Sequence, residues 1–133
     1  MNMDLKDFFL STPMARFEYM RIHSKYIPPE IRALYMIDSL IDSDGCVYVE
    51  INKCMYGLKQ AAAIAYQQLF KHIDGHGYYP IPFTTGLWSH RTLNTKFCLC
   101  VDDFGIKFFS QQYANHLLMA LRHKYGVTVD CTG

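Results

Sequence analysis

Hydrophobic and polar residues alternate in several short stretches of the chain, and this two-residue period predicts β-strands. In residues 46–52, the valines and the isoleucine occupy one face of the predicted strand, whereas Cys46, Tyr48 and Glu50 occupy the other. Shorter apolar or alternating stretches predict further strands at residues 17–22, 87–90, 96–101, 106–109 and 127–129. Residues 78–85 contain two prolines, which predicts a loop or an edge strand there.

Three other segments are predicted to be helical. Residues 28–40 begin with two prolines, which are tolerated in the first turn of a helix. Residues 58–75 have helical spacing, and one face of the predicted helix consists of Ala61, Ile64, Ala65, Leu69 and Ile73. The third helix follows the strand at 106–109 and is predicted to end at Gly126. Its apolar side consists of Ala114, Leu117, Leu118, Leu121 and Tyr125.

This mixture of strands and helices predicts an α+β fold, in which the helices pack on one face of a mostly antiparallel sheet. A chain of 133 residues is long enough to bury the core of one compact domain. No repeat, linker or low-complexity tract divides the sequence. We therefore expect a single domain that spans residues 1–133.

The composition indicates a folded protein, because half of the residues are hydrophobic and the chain contains ten Tyr and nine Phe. The net charge of +1 lacks the basic excess of a typical nucleic-acid-binding protein. The five cysteines are odd in number and form no CxxC pair, which predicts free thiols in a reduced cytoplasmic protein. Cys98 and Cys100 are expected to be buried core thiols. No apolar run approaches the roughly 20 residues that span a bilayer, so we expect a soluble protein without a membrane partner.

Two adjacent acids, Asp102 and Asp103, lie between the predicted strands at 96–101 and 106–109, in a turn predicted at residues 102–105. Successive strand residues point to opposite faces, so only one acid of the pair can join a given site directly. Two acids closely followed by a glycine are also an ordinary turn composition. Considered alone, the pair fits either a simple turn or an acidic site.

Another acid, Asp4, lies shortly before an apolar run near the start of the chain. Enzymes that transfer phosphoryl groups with two metal ions hold the ions roughly 3.5–4 Å apart between carboxylates. Asp4 and Asp102 would supply such a pair if their strands were neighbours in the sheet. Sequence spacing does not decide whether they are.

Three stretches of the chain resemble the catalytic motifs of reverse transcriptases of LTR retrotransposons, especially copia-like ones, in order and in spacing. Residues 4–14 (DLKDFFLSTPM) resemble the first motif, and residues 55–61 (MYGLKQA) resemble the next. Residues 100–103 (CVDD) resemble the third motif, an aromatic residue followed by x-Asp-Asp. Residues 104–107 and the tail at 128–133 are also similar to this kind of element. The resemblance thus covers almost the whole chain.

The sequence departs from the family pattern at a few positions. Cys100 replaces the aromatic residue that usually opens the third motif, and Cys131 stands where tryptophan is commoner. Ala62 and Ala63 stand where small turn residues or Pro-Arg are more usual. None of these changes removes an acid.

The resemblance implies the palm of a right-handed polymerase, a small antiparallel sheet with helices packed on one face. It implies that Asp4 and Asp102 bind Mg²⁺, with Mn²⁺ as a substitute, and that Asp103 supports them. Phe9 takes the position of the aromatic residue that stacks under the incoming sugar and excludes a ribose 2′-OH. Phe is so often buried that an ordinary core role for Phe9 is an equal alternative.

The second motif is expected, from the resemblance, to lie against the nucleotide and the template. Gly57 permits a close backbone approach, although it is also a suitable turn residue before a helix. Gln60 and Tyr56 are both candidates for the side chain that faces the nucleotide. The resemblance does not decide between them.

The activity that the resemblance implies is RNA-directed DNA polymerisation, in which a dNTP is added to a primer 3′-OH on an RNA or DNA template. The fingers, thumb and RNase H segments of the parent polyprotein have no counterpart in these residues, so we expect a truncated palm that is inactive alone. The parent enzyme would act in the cytoplasm or in virus-like particles. The alternative is an inactive or domesticated palm remnant that folds and binds a partner without polymerising.

Two further patterns have competing interpretations. His72 and His76 are four residues apart near the end of a predicted helix, which fits a metal-binding pair or, more simply, solvated or helix-capping side chains. A metal-binding module built on His and Cys is therefore a third hypothesis. The aromatic pairs at residues 78–79 and 108–109 are predicted to pack in the core, although such rings also stack on nucleic-acid bases.

Overall fold

The computed structural model describes residues 1–131, so Thr132 and Gly133 of the tail that resembles the retrotransposon enzymes lie outside the described residues. The strands and α-helices of the described residues are, in chain order, β1 (Asn2–Lys6), β2 (Pro13–His23), α1 (Pro29–Leu34), β3 (Cys46–Lys53), α2 (Ala61–Asp74), β4 (Tyr78–Pro80), β5 (Leu87–His90), β6 (Thr95–Cys100), β7 (Asp103–Phe108), α3 (Gln111–Arg122) and β8 (Gly126–Asp130). Short 3-10 helices cover Ser24–Tyr26 and Ile37–Leu40. No helix in this part of the chain is long and apolar enough to cross a membrane.

The chain divides into two compact units. The first unit comprises Met1–Pro13 and the chain from Cys54 onward, and the second unit comprises Met14–Lys53. The first unit contains a six-stranded sheet with α2 and α3, and the second contains α1 and the pair formed by β2 and β3. The expectation of one domain was based on chain length and the lack of a linker, and it stays a prediction.

The sheet of the first unit has the strand order β4-β5-β6-β7-β1-β8. Every pair of neighbouring strands in it is antiparallel. Both helices contact the same face of this sheet. Trp88 of β5 packs against Phe70 of α2 with ring centroids 5.4 Å apart, and the Tyr78 hydroxyl of β4 lies 3.0 Å from Nδ1 of His116 on α3. The predicted α+β class with a mostly antiparallel sheet is confirmed.

The covered face of the sheet is strongly apolar. The rings of Trp88 and Phe97 stack with centroids 5.8 Å apart, and Phe97 also contacts Phe104 at 5.2 Å. Burying side chains of this size contributes about 1.5–3 kcal/mol each to folding. The helices complete this core with the buried side chains of Ala61, Ala65, Leu69, Ile73, Ala114, Leu117, Ala120 and Leu121.

The opposite face of the same sheet, called the open face below, is formed by side chains that alternate with the core residues. The exposed residues of the central strands on this face are Asn2, Asp4, Lys6, Lys96, Cys98, Cys100, Asp103, Gly105 and Lys107. The prediction that Cys98 and Cys100 are core thiols is wrong. Phe97 and Leu99 occupy the covered face, and the alternation of side chains along β6 therefore exposes both cysteines.

The helices agree with the sequence pattern except at their ends. The predicted apolar face of α2 is confirmed, with four of its side chains buried. The first predicted helix is shorter than expected, because Met36 adopts a left-handed conformation with φ 51° and interrupts it after Leu34. The last helix ends at Arg122, and Gly126 begins β8 instead of ending the helix.

In the second unit, Arg21 on β2 binds two acids of the turn predicted at residues 42–45. Its guanidinium lies 2.9 Å from the carboxylate of Asp42 and 2.8 Å from that of Asp44. Asp42 also accepts a hydrogen bond from the backbone N–H of Cys46, which is the largest cause of a lowered pKa of its carboxyl group. The predicted turn and the strand that follows it are confirmed.

The β6–β7 hairpin closes through two residues, Val101 and Asp102, because Cys100 pairs directly with Asp103. The predicted turn at residues 102–105 is therefore displaced, and Asp103 lies within β7. Val101 has a φ of 59°, in the left-handed region that a β-branched residue rarely adopts. Hairpin loops of this length usually contain glycine at such a position.

We predict that Val101→Gly raises the free energy of unfolding by up to about 1.5 kcal/mol. The left-handed conformation costs an L-residue about 1–2 kcal/mol, and the extra entropy of glycine in the unfolded chain offsets about 0.5–1 kcal/mol of that gain. Urea unfolding measures the change. The matched control is Val129→Gly in the extended strand β8, which should destabilise the protein. Equal destabilisation by both substitutions would contradict a strained loop.

Candidate acidic site

The short strand β1 brings the first predicted acid into the centre of the sheet. β1 pairs with β7 on one side and with β8 on the other, and Asp4 lies directly opposite Asp103 and Thr128. Residues that are directly opposite in an antiparallel pair project from the same face. The side chains of Asp4 and Asp103 are therefore neighbours on the open face, and both are exposed.

The third acid, Asp102, occupies the hairpin loop beside this pair. Its backbone carbonyl accepts a hydrogen bond from the N–H of Leu5 at 3.1 Å, which fixes the loop against the end of β1. Its carboxylate accepts a hydrogen bond from the hydroxyl of Tyr56 at 3.4 Å. The strands of the predicted pair Asp4 and Asp102 are thus neighbours, but the residue in register with Asp4 is Asp103.

The charges of the three acids converge on the Tyr56 hydroxyl. The pKa of this phenol lies above its usual value, chiefly because the negative charge of Asp102 disfavours the phenolate. Desolvation, the hydrogen bond to Asp102 and the charges of Asp4 and Asp103 act in the same direction. Tyr56 therefore marks a region of negative potential to which all three acids contribute.

A cavity of about 330 Å³ lies between the first motif and the second motif. Its lining residues are Asp7, Phe8, Phe9, Leu10, Met55, Tyr56 and Asp102. The ring of Phe9 meets that of Tyr56 edge to face, with centroids 4.4 Å apart. Phe9 is only 6% exposed whereas Tyr56 is 72% exposed. Phe9 is thus both a buried residue and part of the cavity wall, so its two interpretations stay open.

The loop after β1 is shaped by its own hydrogen bonds. Asp7 has a φ of 51°, and the hydroxyls of Ser11 and Thr12 both donate to the backbone carbonyl of Phe8, at 2.8 and 3.2 Å. The carbonyl of Thr12 accepts from the N–H of Cys54 at 2.9 Å. This last bond joins the loop to the segment that leads to Tyr56, so the first two motifs are held together by backbone contacts.

The second motif places its two candidate side chains differently. Tyr56 lines the cavity beside Asp102, whereas Gln60 precedes the first residue of α2 and does not line this cavity. Gly57 has a φ of 94°, and a Cβ atom there would meet nothing within 4 Å. Gly57 is therefore required by the backbone conformation, and the space beside it is open to a ligand.

A second, shallower cavity of about 220 Å³ lies on the open face around the acid pair. It is lined by Asn2, Met3, Asp4, Asp103, Thr128 and Asp130. The sequence-based prediction did not include Thr128 or Asp130. The alternation of residues along β8 could have placed Thr128 and Asp130 on one face of that strand. Only the strand order shows that β8 lies beside β1.

The acids fit a divalent ion that also binds a ligand. The described residues contain no group of three or more His, Cys, Asp or Glu side chains that could enclose a metal ion. Mg²⁺, however, is usually held by one or two carboxylates together with water and substrate phosphates. The facing carboxylates of Asp4 and Asp103, with Asp102 in the adjacent loop, are a suitable donor set for that mode of binding.

The histidines near the end of α2 bind backbone groups. Nε2 of His72 lies 2.7 Å from the carbonyl of Ala120, and Nδ1 of His76 lies 2.9 Å from the carbonyl of His72. Each of these nitrogens donates its proton, because a carbonyl only accepts. The interpretation of these residues as capping side chains is therefore confirmed for His76, which binds a carbonyl in the last turn of the helix.

Comparison with protein-family models, with curated proteins and with solved structures finds no match to this chain.

We predict that Asp102→Asn lowers the pKa of Tyr56, since it removes the charge that most disfavours the phenolate. Asp4→Asn and Asp103→Asn should lower it by smaller amounts. NMR titration of the tyrosine ring carbons measures each pKa, with Tyr56→Phe to assign the signal. Asp74→Asn, which alters an acid that binds Arg91, should leave the pKa unchanged. An unaltered pKa in Asp102→Asn would refute the contact between the second and third motifs.

Proposed function

We propose that the first unit is the palm of an RNA-directed DNA polymerase of the LTR-retrotransposon kind. Asp4 and Asp102 would hold the divalent ions, Mg²⁺ or Mn²⁺, and Asp103 would lie beside them. The substrates would be dNTPs and an RNA or DNA template with a primer. Fingers, thumb and RNase H segments of a polyprotein would be the expected partners.

The observation that supports this proposal most is the convergence of the three acids. Asp4 comes from β1, whereas Asp102 and Asp103 come from a hairpin about a hundred residues later in the sequence. Antiparallel pairing of β1 with β7 brings them to one end of the sheet, where all three influence the Tyr56 phenol. If Asp102 and Asp103 served only to form a turn, there would be no reason for an acid of another strand, Asp4, to lie opposite them.

In the proposed activity, each residue would have a separate part. The exposed carboxylates of Asp4 and Asp103 lie on the sheet face opposite α2 and α3, so a phosphate-bearing ligand would approach them from that face. Phe9 and Tyr56 form an aromatic wall next to Asp102, where a sugar or base would pack. Two divalent ions at the acids would activate the primer 3′-OH and stabilise the leaving pyrophosphate.

The hydrogen bond between Tyr56 and Asp102 has a consequence for ligand binding. The hydroxyl occupies a lone pair of the carboxylate that a metal ion would use, and Tyr56 is largely exposed, so its ring can move. A bound nucleotide would therefore displace the Tyr56 hydroxyl while its base or sugar contacts the ring. Tyr56 is then the better candidate of the two for the nucleotide-facing side chain.

We predict that dTTP binds the protein in the presence of Mg²⁺ and not in EDTA. Asp4→Asn and Asp102→Asn should each weaken binding about tenfold or more, because a contact to a charged group contributes about 1.5–3 kcal/mol. Isothermal titration calorimetry measures the affinity. Glu30→Gln is the matched control, since it removes an exposed carboxylate of α1 in the second unit.

Two results would contradict the proposal. One is binding of dTTP that does not depend on a divalent ion. The other is equal affinity of the Asp4→Asn, Asp102→Asn and Glu30→Gln variants. Circular dichroism of each variant shows whether the fold is retained. Retention is expected, because Asp4 and Glu30 are exposed and Asp102 is only partly buried.

A second candidate function, a folded interaction module without polymerase activity, is favoured by the apolar surface of the second unit. Its exposed large hydrophobic side chains are Phe17, Tyr19, Met20, Tyr26, Ile31, Leu34, Tyr35, Met36, Leu40 and Tyr48. Surfaces of this kind often bind other proteins. Primer extension on poly(rA)/oligo(dT) that is lost in Asp102→Asn would favour the polymerase, whereas self-association in light scattering without dTTP binding would favour the module.

A further inference from the structure

Two lysines lie directly opposite each other on the open face. Lys96 of β6 pairs with Lys107 of β7, and both side chains are exposed. Like charges that are directly opposite across an antiparallel pair destabilise the sheet. Neither lysine forms an ion pair with an acid among residues 1–131. The positive charge of this pair is therefore uncompensated within the described part of the protein.

The lysine pair forms part of a cavity that also contains an exposed aromatic ring. The cavity has a volume of about 190 Å³, and it is lined by Asn94, Lys96, Lys107 and Phe109. Phe109 is 73% exposed, so the prediction that residues 108–109 pack in the core is wrong for this ring. The core-facing residues of β7 are Phe104, Ile106 and Phe108, and the alternation along the strand directs the next residue, Phe109, to the other face.

The chemistry of this cavity is complementary to a nucleotide unit. Two ammonium groups bind a phosphate, an amide side chain offers both a donor and an acceptor, and an exposed phenyl ring stacks on a base. A base that is paired within a duplex has no face free for the ring. The combination therefore favours a single strand over a duplex.

The cavity lies on the same sheet face as the acidic site, at some distance from it. Lys107 is four residues from Asp103 along β7, which corresponds to about 13 Å. An anion bound by the lysines would therefore not contact the acids. A single strand of several nucleotides would nevertheless be long enough to reach from the lysines to the acids.

We propose that Asn94, Lys96, Lys107 and Phe109 form a binding site for single-stranded nucleic acid, in which the lysines hold a backbone phosphate and Phe109 stacks on the adjacent base. The inference rests on the proposed function in one respect, which is that the polyanion bound at this site is taken to be a nucleic acid. Under that function the strand would be an unpaired stretch of template or primer that lies across the open face beside the acids.

Fluorescence anisotropy of a labelled oligothymidylate, measured in EDTA over a series of salt concentrations, tests this site separately from the metal site. Lys96→Gln and Lys107→Gln should each weaken binding about threefold or more at low salt. Each should also reduce the slope of log affinity against log salt by up to about 0.7, the contribution of one phosphate contact on a single strand. Lys71→Gln on α2, which packs on the covered face, is the matched control and should alter neither quantity.

Two further variants separate the parts of the site. Phe109→Ala should weaken binding about fivefold or more without a change in the salt slope, because stacking involves no phosphate charge. Lys107→Glu should weaken binding more than Lys107→Gln and also raise the unfolding midpoint, since Glu would face Lys96 as an opposite charge. Weaker binding by a more stable variant excludes unfolding as the cause.

Several outcomes would overturn the inference. One is that the folded protein does not bind oligothymidylate at low salt. Another is that the salt slope is unchanged in both lysine variants. A third is that inorganic phosphate displaces the oligonucleotide while Phe109→Ala has no effect on its affinity. The last result would indicate a simple anion site, and tighter binding of a duplex would exclude the stacked single strand. Asp4→Asn should retain oligothymidylate binding, so failure of the metal site and failure of this site are distinguishable.

Discussion

The antiparallel pairing of β1 with β7 is the constraint on which the rest of the site depends. β1 has only five residues, yet it lies between β7 and β8 and supplies two buried core residues, Met3 and Leu5. A slip of one residue would turn these side chains outward and turn Asp4 into the core. The same register that buries the apolar residues therefore places Asp4 opposite Asp103.

On β6 and β7, opposite charges are separated along the open face of the sheet. The acids lie at the end where the β6–β7 hairpin closes, and the lysine pair lies toward the other end of the same two strands. The two proposed sites, one for cations and one for phosphate, depend on this separation, because the net charge of the chain is only +1. Under the two proposals, local charge on the open face would decide nucleic-acid binding, and net charge would be a poor guide to it.

The local sequence pattern predicted the strands and helices of this fold better than it predicted which side chains are buried and which strands are neighbours. The alternation in β3 and the helical spacing in α2 depend on residues near each other in sequence. Burial in α2 agrees with the predicted apolar face, and burial in β3 agrees with the predicted faces except at Cys46, which is buried. In β6 both faces contain apolar or thiol side chains, so the pattern did not reveal that Cys98 is exposed. The partner of Asp4 depends on strand order and register, which are set by contacts between distant segments, and only the structure identifies it as Asp103.

In the proposed function, the acids of β1 and of the hairpin form one site for divalent ions. Paramagnetic broadening by Mn²⁺ in the NMR spectrum of isotope-labelled protein tests it most directly. Trace Mn²⁺ is expected to broaden the amide signals of Asp4, Asp103 and Thr128 first, and Asp4→Asn is expected to abolish this effect. Broadening that begins instead at His76 and His123, whose ring nitrogens lie 3.3 Å apart, would contradict it.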